Sequence, residues 1–263
     1  MLRPADQSGD PSAQSSLLRG LALLDLFSEH DAELSISEMA RRSGVPKSTT
    51  HRLVGDLERW GALERGPRGM RLGVRLFELG HLVPDHARLR ELTIPYAHTL
   101  NEITRLTCNV AVPKGSEIIY IEKISPPAHR VNHYRPGGRA PMHATGLGKA
   151  ILAFSSPALV EAVLAGPLEA RTGKTITRPD QLRRELARIR ESRIAYDVEE
   201  SRPGLFCVAA PVFHRRRTVV GAISVTGATE LAQARQFAPV VRSTAMAISR
   251  ALDAGGGRHR AAS

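Results

Sequence analysis

Residues 34–61 constrain this chain more than any other stretch, because they spell two short amphipathic helices joined by a tight corner. Ser35 followed by Glu38 is a capping box, in which hydroxyl and carboxylate each take an orphan backbone N–H. Gly44 suits the residue just past that helix, where positive φ costs glycine little. Pro46 suits the first position of the next helix, where its missing N–H is not needed. Thr50, Leu53, Val54 and Leu57 recur at helical spacing and are expected to face a core. That leaves Lys47, Ser48, His51 and Arg52 toward solvent or a ligand, with Thr49 at the edge, until Gly61 stops the helix. Ala62 to Arg65 and Gly69 to Leu72 then read as two strands around Gly66-Pro67, a hairpin carrying Arg65, Arg68 and Arg71. Helix, turn, helix and basic hairpin are the parts of a winged helix-turn-helix. A donor-rich helix start suits the DNA major groove, and hairpin cations suit phosphate, which positions a protein without specifying sequence. The same residues also describe a small helical domain with a solvated charged face.

Where the charge lies matters more than its sum. The formal net charge is +11 over 263 residues, yet residues 1–72 hold ten Lys/Arg and ten Asp/Glu. Within them, 41–71 carry eight basic and three acidic groups, so the positive field is expected on the second helix and the hairpin. Residues 96–254 hold 22 basic and 13 acidic groups, so most of the excess lies outside the helix-turn-helix. Two cysteines, Cys108 and Cys207, cannot make a disulfide framework and read as free thiols of a cytosolic protein. No signal peptide or membrane-spanning run is evident, so a cytoplasmic location and no membrane partner are expected.

Along the chain, Ser16 can cap a helix through Leu17, Leu18, Leu21, Leu24 and Phe27, with Arg19 on its first turn near a phosphate. After the hairpin, Gly73 to Leu82 reads as a short helix that dimerises or packs on the wing, broken at Pro84-Asp85. Leu89, Leu92, Tyr96, Leu100, Ile103 and Leu106 fit one face of a longer helix, kinked or restarted at Pro95. The pattern then turns to strands at 107–112, 117–124 and 130–134, helices at 144–154, 157–164 and 179–192, and strands at 194–197, 207–213 and 219–225. A closing helix over 230–254 is expected to break at Pro239. This is an α+β fold: a mostly α N-terminal winged helix-turn-helix, then an antiparallel sheet flanked by helices. The expected divisions are a tail (1–15), the helix-turn-helix domain (16–72), a linker helix region (73–90), the α+β domain (91–254) and a second tail (255–263).

The chain resembles the IclR family of transcriptional regulators over nearly its whole length. The resemblance rests on Ser16 to Phe27, Pro46-Lys47-Ser48-Thr49 with Arg52 and Leu53, and Arg71-Leu72-Gly73. It continues in the run from Pro141 to Ala150, Tyr196-Asp197-Val198-Glu199-Glu200, Gly204 with Cys207 to Val212, and Gly221 to Val225. It implies a linker helix, a GAF-like effector-binding domain, a homodimer that is often a dimer of dimers, and repression or activation of an operator controlled by a small-molecule effector. It also implies ligand contacts at Gly146 and Leu147 through backbone N–H, and at Asp197, Cys207, Ser224 and Thr226. Thr226 stands where serine is common, and its methyl narrows the pocket. Thr50 holds an often apolar position of the recognition helix. Physically, a glycine-rich helix start is an anion cradle. Asp197 would repel a carboxylate unless it is protonated or bonds a ligand hydroxyl. Without the family, Asp197 reads as a turn cap and Cys207 as a small core residue.

Two other classes are weaker. A cysteine enzyme built on Cys207, His143 and Asp197 rests on scattered residues. A module docking protein rather than DNA fits the helix-turn-helix but not the resemblance. Gly173-Lys174-Thr175 ends like a P-loop, but Leu168 holds the required upstream glycine position, and Ile151 replaces the third glycine after Gly146-Leu147-Gly148. No cluster has zinc-ligand spacing, and no catalytic residue or cofactor is expected.

Overall fold

The computed structural model describes residues 15–28, 30–126, 134–215, 218–228 and 235–255. The chain divides into two compact units after Ala87.

In the first unit, α1 (Ser16–Leu24) is capped by Ser15, whose hydroxyl accepts from Leu18 N. The expected cap, Ser16, is instead the first helical residue. Next come α2 (Ile36–Ser43) and α3 (Lys47–Trp60), joined at Gly44 with φ 70°. Ser35 accepts from Glu38 N as expected. The Glu38 carboxylate, however, turns to Arg41 and Arg42, which satisfy it better than one backbone N–H. Those arginines hold it down at about 2. Strands β1 (Leu63–Arg65) and β2 (Met70–Leu72) form the hairpin, and Leu34 bridges Met70. Leu23, Phe27, Leu34, Met39, Val45, Leu53, Val54, Leu63 and Met70 make one core. Thr50 belongs to it, fully buried, because its hydroxyl donates to Val45 O and Pro46 O and so ties the corner to α3. Helix α4 (Val74–His81) follows.

Helix α5 (Pro84–Thr104) passes through Pro95 without restarting. The carbonyl that Pro95 cannot serve belongs to Glu91, an exposed residue, so the missing helical bond falls on the solvent side. Its buried seam is Leu89, Thr93, Ala97, Leu100 and Thr104. Ile103, expected inside, is 61% exposed, because it lies to one side of that stripe, which takes Leu100 and Thr104 instead.

The second unit's sheet is antiparallel throughout, ordered β5-β4-β3-β8-β7-β6. Its strands are β3 (Thr107–Lys114), β4 (Glu117–Ile124), β5 (Arg139–Pro141), β6 (Ala195–Val198), β7 (Phe206–His214) and β8 (Thr218–Gly227). The strand expected at 130–134 falls mostly outside the described residues, and β5, which follows the 136–138 turn and matches no expected strand, pairs with β4. Helices α6 (Gly146–Leu152), α7 (Pro157–Ala165), α8 (Pro179–Ser192) and α9 (Ala238–Gly255) complete the unit. The expected break is present: residue 235 is helical, 236–237 form a turn, and α9 restarts with Pro239 as its second residue, where a first-turn proline sacrifices no helical bond. The expected start of that helix, 230–234, lies outside the described residues.

Strand alternation splits the sheet into two apolar faces. One packs Ala111, Ile118, Tyr120, Cys207, Ala209 and Ala222 beneath α6 and α8. The other packs Val110, Val208, Ala210, Val212 and Ile223 with Leu89, Leu100, Val241 and Ile248 from α5 and α9.

Candidate nucleic-acid interface and effector site

On α3, Lys47, Ser48, His51 and Arg52 are exposed and Thr49 is half-buried, as the periodicity predicts. Arg52 is held by Asp56, one turn further along, at 3.3 Å. Arg65, Arg68 and Arg71 are exposed on the hairpin. Each already has a carboxylate: Glu58, Glu33 and Glu64 at 2.9, 3.5 and 3.2 Å. Arg41 and Arg42 pair with Glu38, Arg42 also with Asp31, and Arg59 with Asp56. The charge clustering read along the chain is therefore largely undone in space: Asp31, Glu33 and Glu38 take Arg41, Arg42 and Arg68, and the stretch's own Asp56, Glu58 and Glu64 take Arg52, Arg59, Arg65 and Arg71. Among the described residues Lys47 has no carboxylate partner. Arg19 is half-buried on α1, and its Nε has no partner among them.

Glu33, missed in the sequence, fixes the wing tip. Its Oε2 accepts from Arg68 N at 2.9 Å, and its carboxylate fills the space above Gly66, where an added Cβ would lie 2.6 Å from Oε1. Glu33→Ala is expected to loosen the hairpin by about 1–2 kcal/mol locally. Faster amide exchange at Arg68 and a roughly few-fold loss of DNA affinity, at little change in Tm, would show it.

In the second unit, the expected effector residues meet on the sheet face under α6. Gly146 begins α6 and touches β6 and β7: a Cβ there would lie 3.0 Å from Cys207 Sγ and 3.5 Å from Asp197 N. At Gly148 a Cβ would sit 2.5 Å from Met142 Cα and O, so the turn before α6 requires glycine. Thr145 caps α6 by accepting from Gly148 N, leaving Gly146 and Leu147, the first two residues, with N–H groups that the helix itself cannot satisfy. Register places Cys207 opposite Asp197 and Thr226, and Ser224 opposite Asn109.

Asp197 does cap a turn. Its Oδ1 accepts from Glu200 N (2.8 Å) and Ser201 N (3.2 Å), and its Oδ2 from Ser201 Oγ (2.5 Å). One acceptor site on Oδ2 is left. Burial pushes this carboxyl above its usual range, against the Ser201 bond. Burial also pushes the Cys207 thiol up to about 12, with Asp197 adding to it and the Thr226 and Ser224 hydroxyls opposing. Asn109 Nδ2 donates to Thr226 Oγ1 at 3.4 Å. Asn109 Oδ1 and Ser224 Oγ, both buried, have no well-aligned partner among the described residues. Tyr120 and Tyr134 stack at 4.5 Å on the same face. Asn109 and Tyr120 escaped the sequence reading. The available signal was polar residues at inward positions of two neighbouring strands, Thr107 and Asn109 beside Ser224 and Thr226.

Lys149, one turn into α6, is fully buried and donates to Glu200 Oε1 at 2.5 Å, with Glu185 3.9 Å away. The 173–175 turn is structural: Thr175 Oγ1 accepts from Arg171 N and Thr172 N and donates to Glu200 O, and Lys174 pairs with Glu199. Among the described residues no group of His, Cys, Asp or Glu could hold a metal ion, and no helix is long and apolar enough to cross a membrane.

Comparison with known proteins matches both units. Residues 16–67 match the IclR helix-turn-helix domain, and residues 81–250 the bacterial transcriptional regulator IclR C-terminal domain. The HTH-type transcriptional regulator XynR of Escherichia coli is 33% identical over 243 residues, covering 90% of this chain and 96% of XynR. The transcriptional repressor IclR of the same organism is 34% identical over 232 residues, covering 86% of this chain and 84% of the repressor. An IclR homologue from Microbacterium hydrocarbonoxydans, solved with 4-hydroxybenzoate, superposes with a TM-score of 0.83 at 29% identity, over 90% of this chain and 99% of that one. The chain belongs to the IclR family of bacterial transcriptional regulators: it is a DNA-binding regulator with an effector-binding C-terminal domain.

Proposed function

We propose that Lys47, Ser48, Thr49, His51 and Arg52 read operator base edges, that Arg19, Arg65, Arg68 and Arg71 hold phosphates, and that the face under α6 takes a small aromatic or aliphatic carboxylate. Asn109 and Tyr120 join Gly146, Leu147, Asp197, Cys207, Ser224 and Thr226 at that site. The observation that carries the reading is the buried pair Asn109 Oδ1 and Ser224 Oγ, neither of which has a well-aligned partner among the described residues. A buried polar atom without a partner costs about 1–3 kcal/mol, which a polar ligand relieves. The free N–H groups of Gly146 and Leu147 suit a carboxylate, and Tyr120 suits a flat body. The 4-hydroxybenzoate bound by the Microbacterium relative is a molecule of that kind.

A thermal-shift screen of hydroxybenzoates and short organic acids tests this. Ligand at about 100 times Kd stabilises by roughly 2.7 kcal/mol, a rise in Tm of several degrees. Asn109→Ala/Ser224→Ala should erase the shift, and a full shift in that variant would refute the assignment. Binding should also strengthen as pH falls. Protonation of Asp197, whose carboxyl lies above its usual range, removes its repulsion of the ligand carboxylate. Asp197→Asn should flatten that profile.

The exposed apolar face of α4, with Val74 62% and Phe77 66% exposed, supports a homodimer formed by a self-complementary contact. Phe77→Glu should shift the sedimentation coefficient toward a monomer. The enzyme reading lacks support. The Cys207 thiol is held protonated, and His143 Nε2 is engaged by Glu169 O at 3.1 Å.

A further inference from the structure

The opposite face of the sheet from the effector site carries a groove of about 300 Å³ between β7 and α9. Arg193, Arg242 and Arg250 line it, over Phe213 and Met246. Among the described residues none of the three has a carboxylate partner. That sets them apart from Arg183, Arg184 and Arg188 on α8 and from Arg178 at its N-cap, each of which does. Asp253 also lines the groove, but its carboxylate is taken by Arg215 N and faces His214 at 3.7 Å.

The groove is polarised. At one end Arg242 reaches Ser192 O, and Arg193, the next residue, lays its guanidinium 5.7 Å from the centre of the Phe213 ring. Arg193 does this from the left-handed region, at φ 57°, in a helix-terminal position where glycine is the usual occupant. At the centre Met246 is exposed beside Phe213. The walls are fixed, because Ser249 Oγ accepts from Phe213 N at 2.9 Å and donates to Ala245 O at 2.7 Å.

We propose that this groove is a second ligand site, for a small amphipathic organic anion. Its carboxylate is held by Arg193 and Arg242 and its apolar body lies on Phe213 and Met246. Paired guanidiniums match a carboxylate, and the volume is that of a small-molecule site. The site shares no residue with the effector site and does not depend on that assignment.

The test uses the full chain and benzoate as probe. Ser243, exposed on α9, is changed to cysteine and labelled with an environment-sensitive fluorophore; Cys108 and Cys207 are buried and escape the label. A saturable signal is expected. It should weaken about tenfold or more in Arg193→Ala/Arg242→Ala, from loss of charge-assisted bonds, and persist in Asn109→Ala/Ser224→Ala. Met246→Glu, which keeps both cations and repels the anion, should weaken it as well. All three arginines are exposed, so Tm should not move. Absence of a saturable signal, an unchanged affinity in the double arginine variant, or loss of signal in the Asn109/Ser224 variant would each overturn the proposal. Displacement by inorganic phosphate at the same concentration as benzoate would overturn the role of the apolar floor.

Discussion

Lys149→Met is expected to cost the second unit about 3–5 kcal/mol, because it leaves Glu200 buried without its cation. For a unit of this size that lowers Tm by on the order of 10 °C. Lys149 has 1% of its side chain exposed and Glu200 10%, so water cannot stand in for the missing partner. Even with Lys149 in place, burial holds the Glu200 carboxyl above its usual range, so Glu200 answers the mutation partly by taking up a proton. The double variant Lys149→Met/Glu200→Gln should recover much of the loss. Urea unfolding of the four proteins in this cycle isolates the pair. A single-variant loss below about 1 kcal/mol would mean that the pair is not closed in solution. The same bond pins α6 to the loop after β6, so the variant should also bind effector more weakly.

Arg52→Ala is expected to remove specific operator binding and leave non-specific binding largely intact. A bidentate base contact is worth about 1–3 kcal/mol, and an unpaired base edge adds to the loss. The ion pair with Asp56 holds the guanidinium along the helix before DNA arrives. Arg59→Ala is the control. Arg59 pairs with the same aspartate from near the helix end and should change affinity little. Fluorescence anisotropy on operator and scrambled duplexes gives the ratio that decides the matter, and an unchanged ratio in Arg52→Ala would refute α3 as the reading helix.

Local order was readable from the sequence where local physics sets it. Gly44 and the Thr50–Leu57 stripe place α2 and α3 without outside help, whereas Pro46, expected as the first residue of α3, is its N-cap, and Lys47 is the first helical residue. The misses have two causes, a competing partner one turn away or surroundings that come from far along the chain. Ile103 looked internal by spacing, but the face of α5 that meets the core runs through Thr93, Ala97 and Thr104. Glu38 left its half of the capping box because two arginines lay within reach. Motif resemblance supplied Gly146, Asp197 and Cys207, but not Asn109, Tyr120 or Glu33, which belong to no motif quoted for the family and acquire their surroundings only when strands pair or the hairpin folds over.

On the proposed reading, the wing arginines would meet DNA with glutamates already attached. A phosphate that binds Arg65, Arg68 or Arg71 evicts a carboxylate, and the duplex sheds a counterion while the evicted glutamate recruits one from solution. Such exchanges are close to neutral in ions, so the logarithmic dependence of affinity on salt should fall short of the number of arginines in contact. Neutralising Glu58 and Glu64 as glutamines should steepen it.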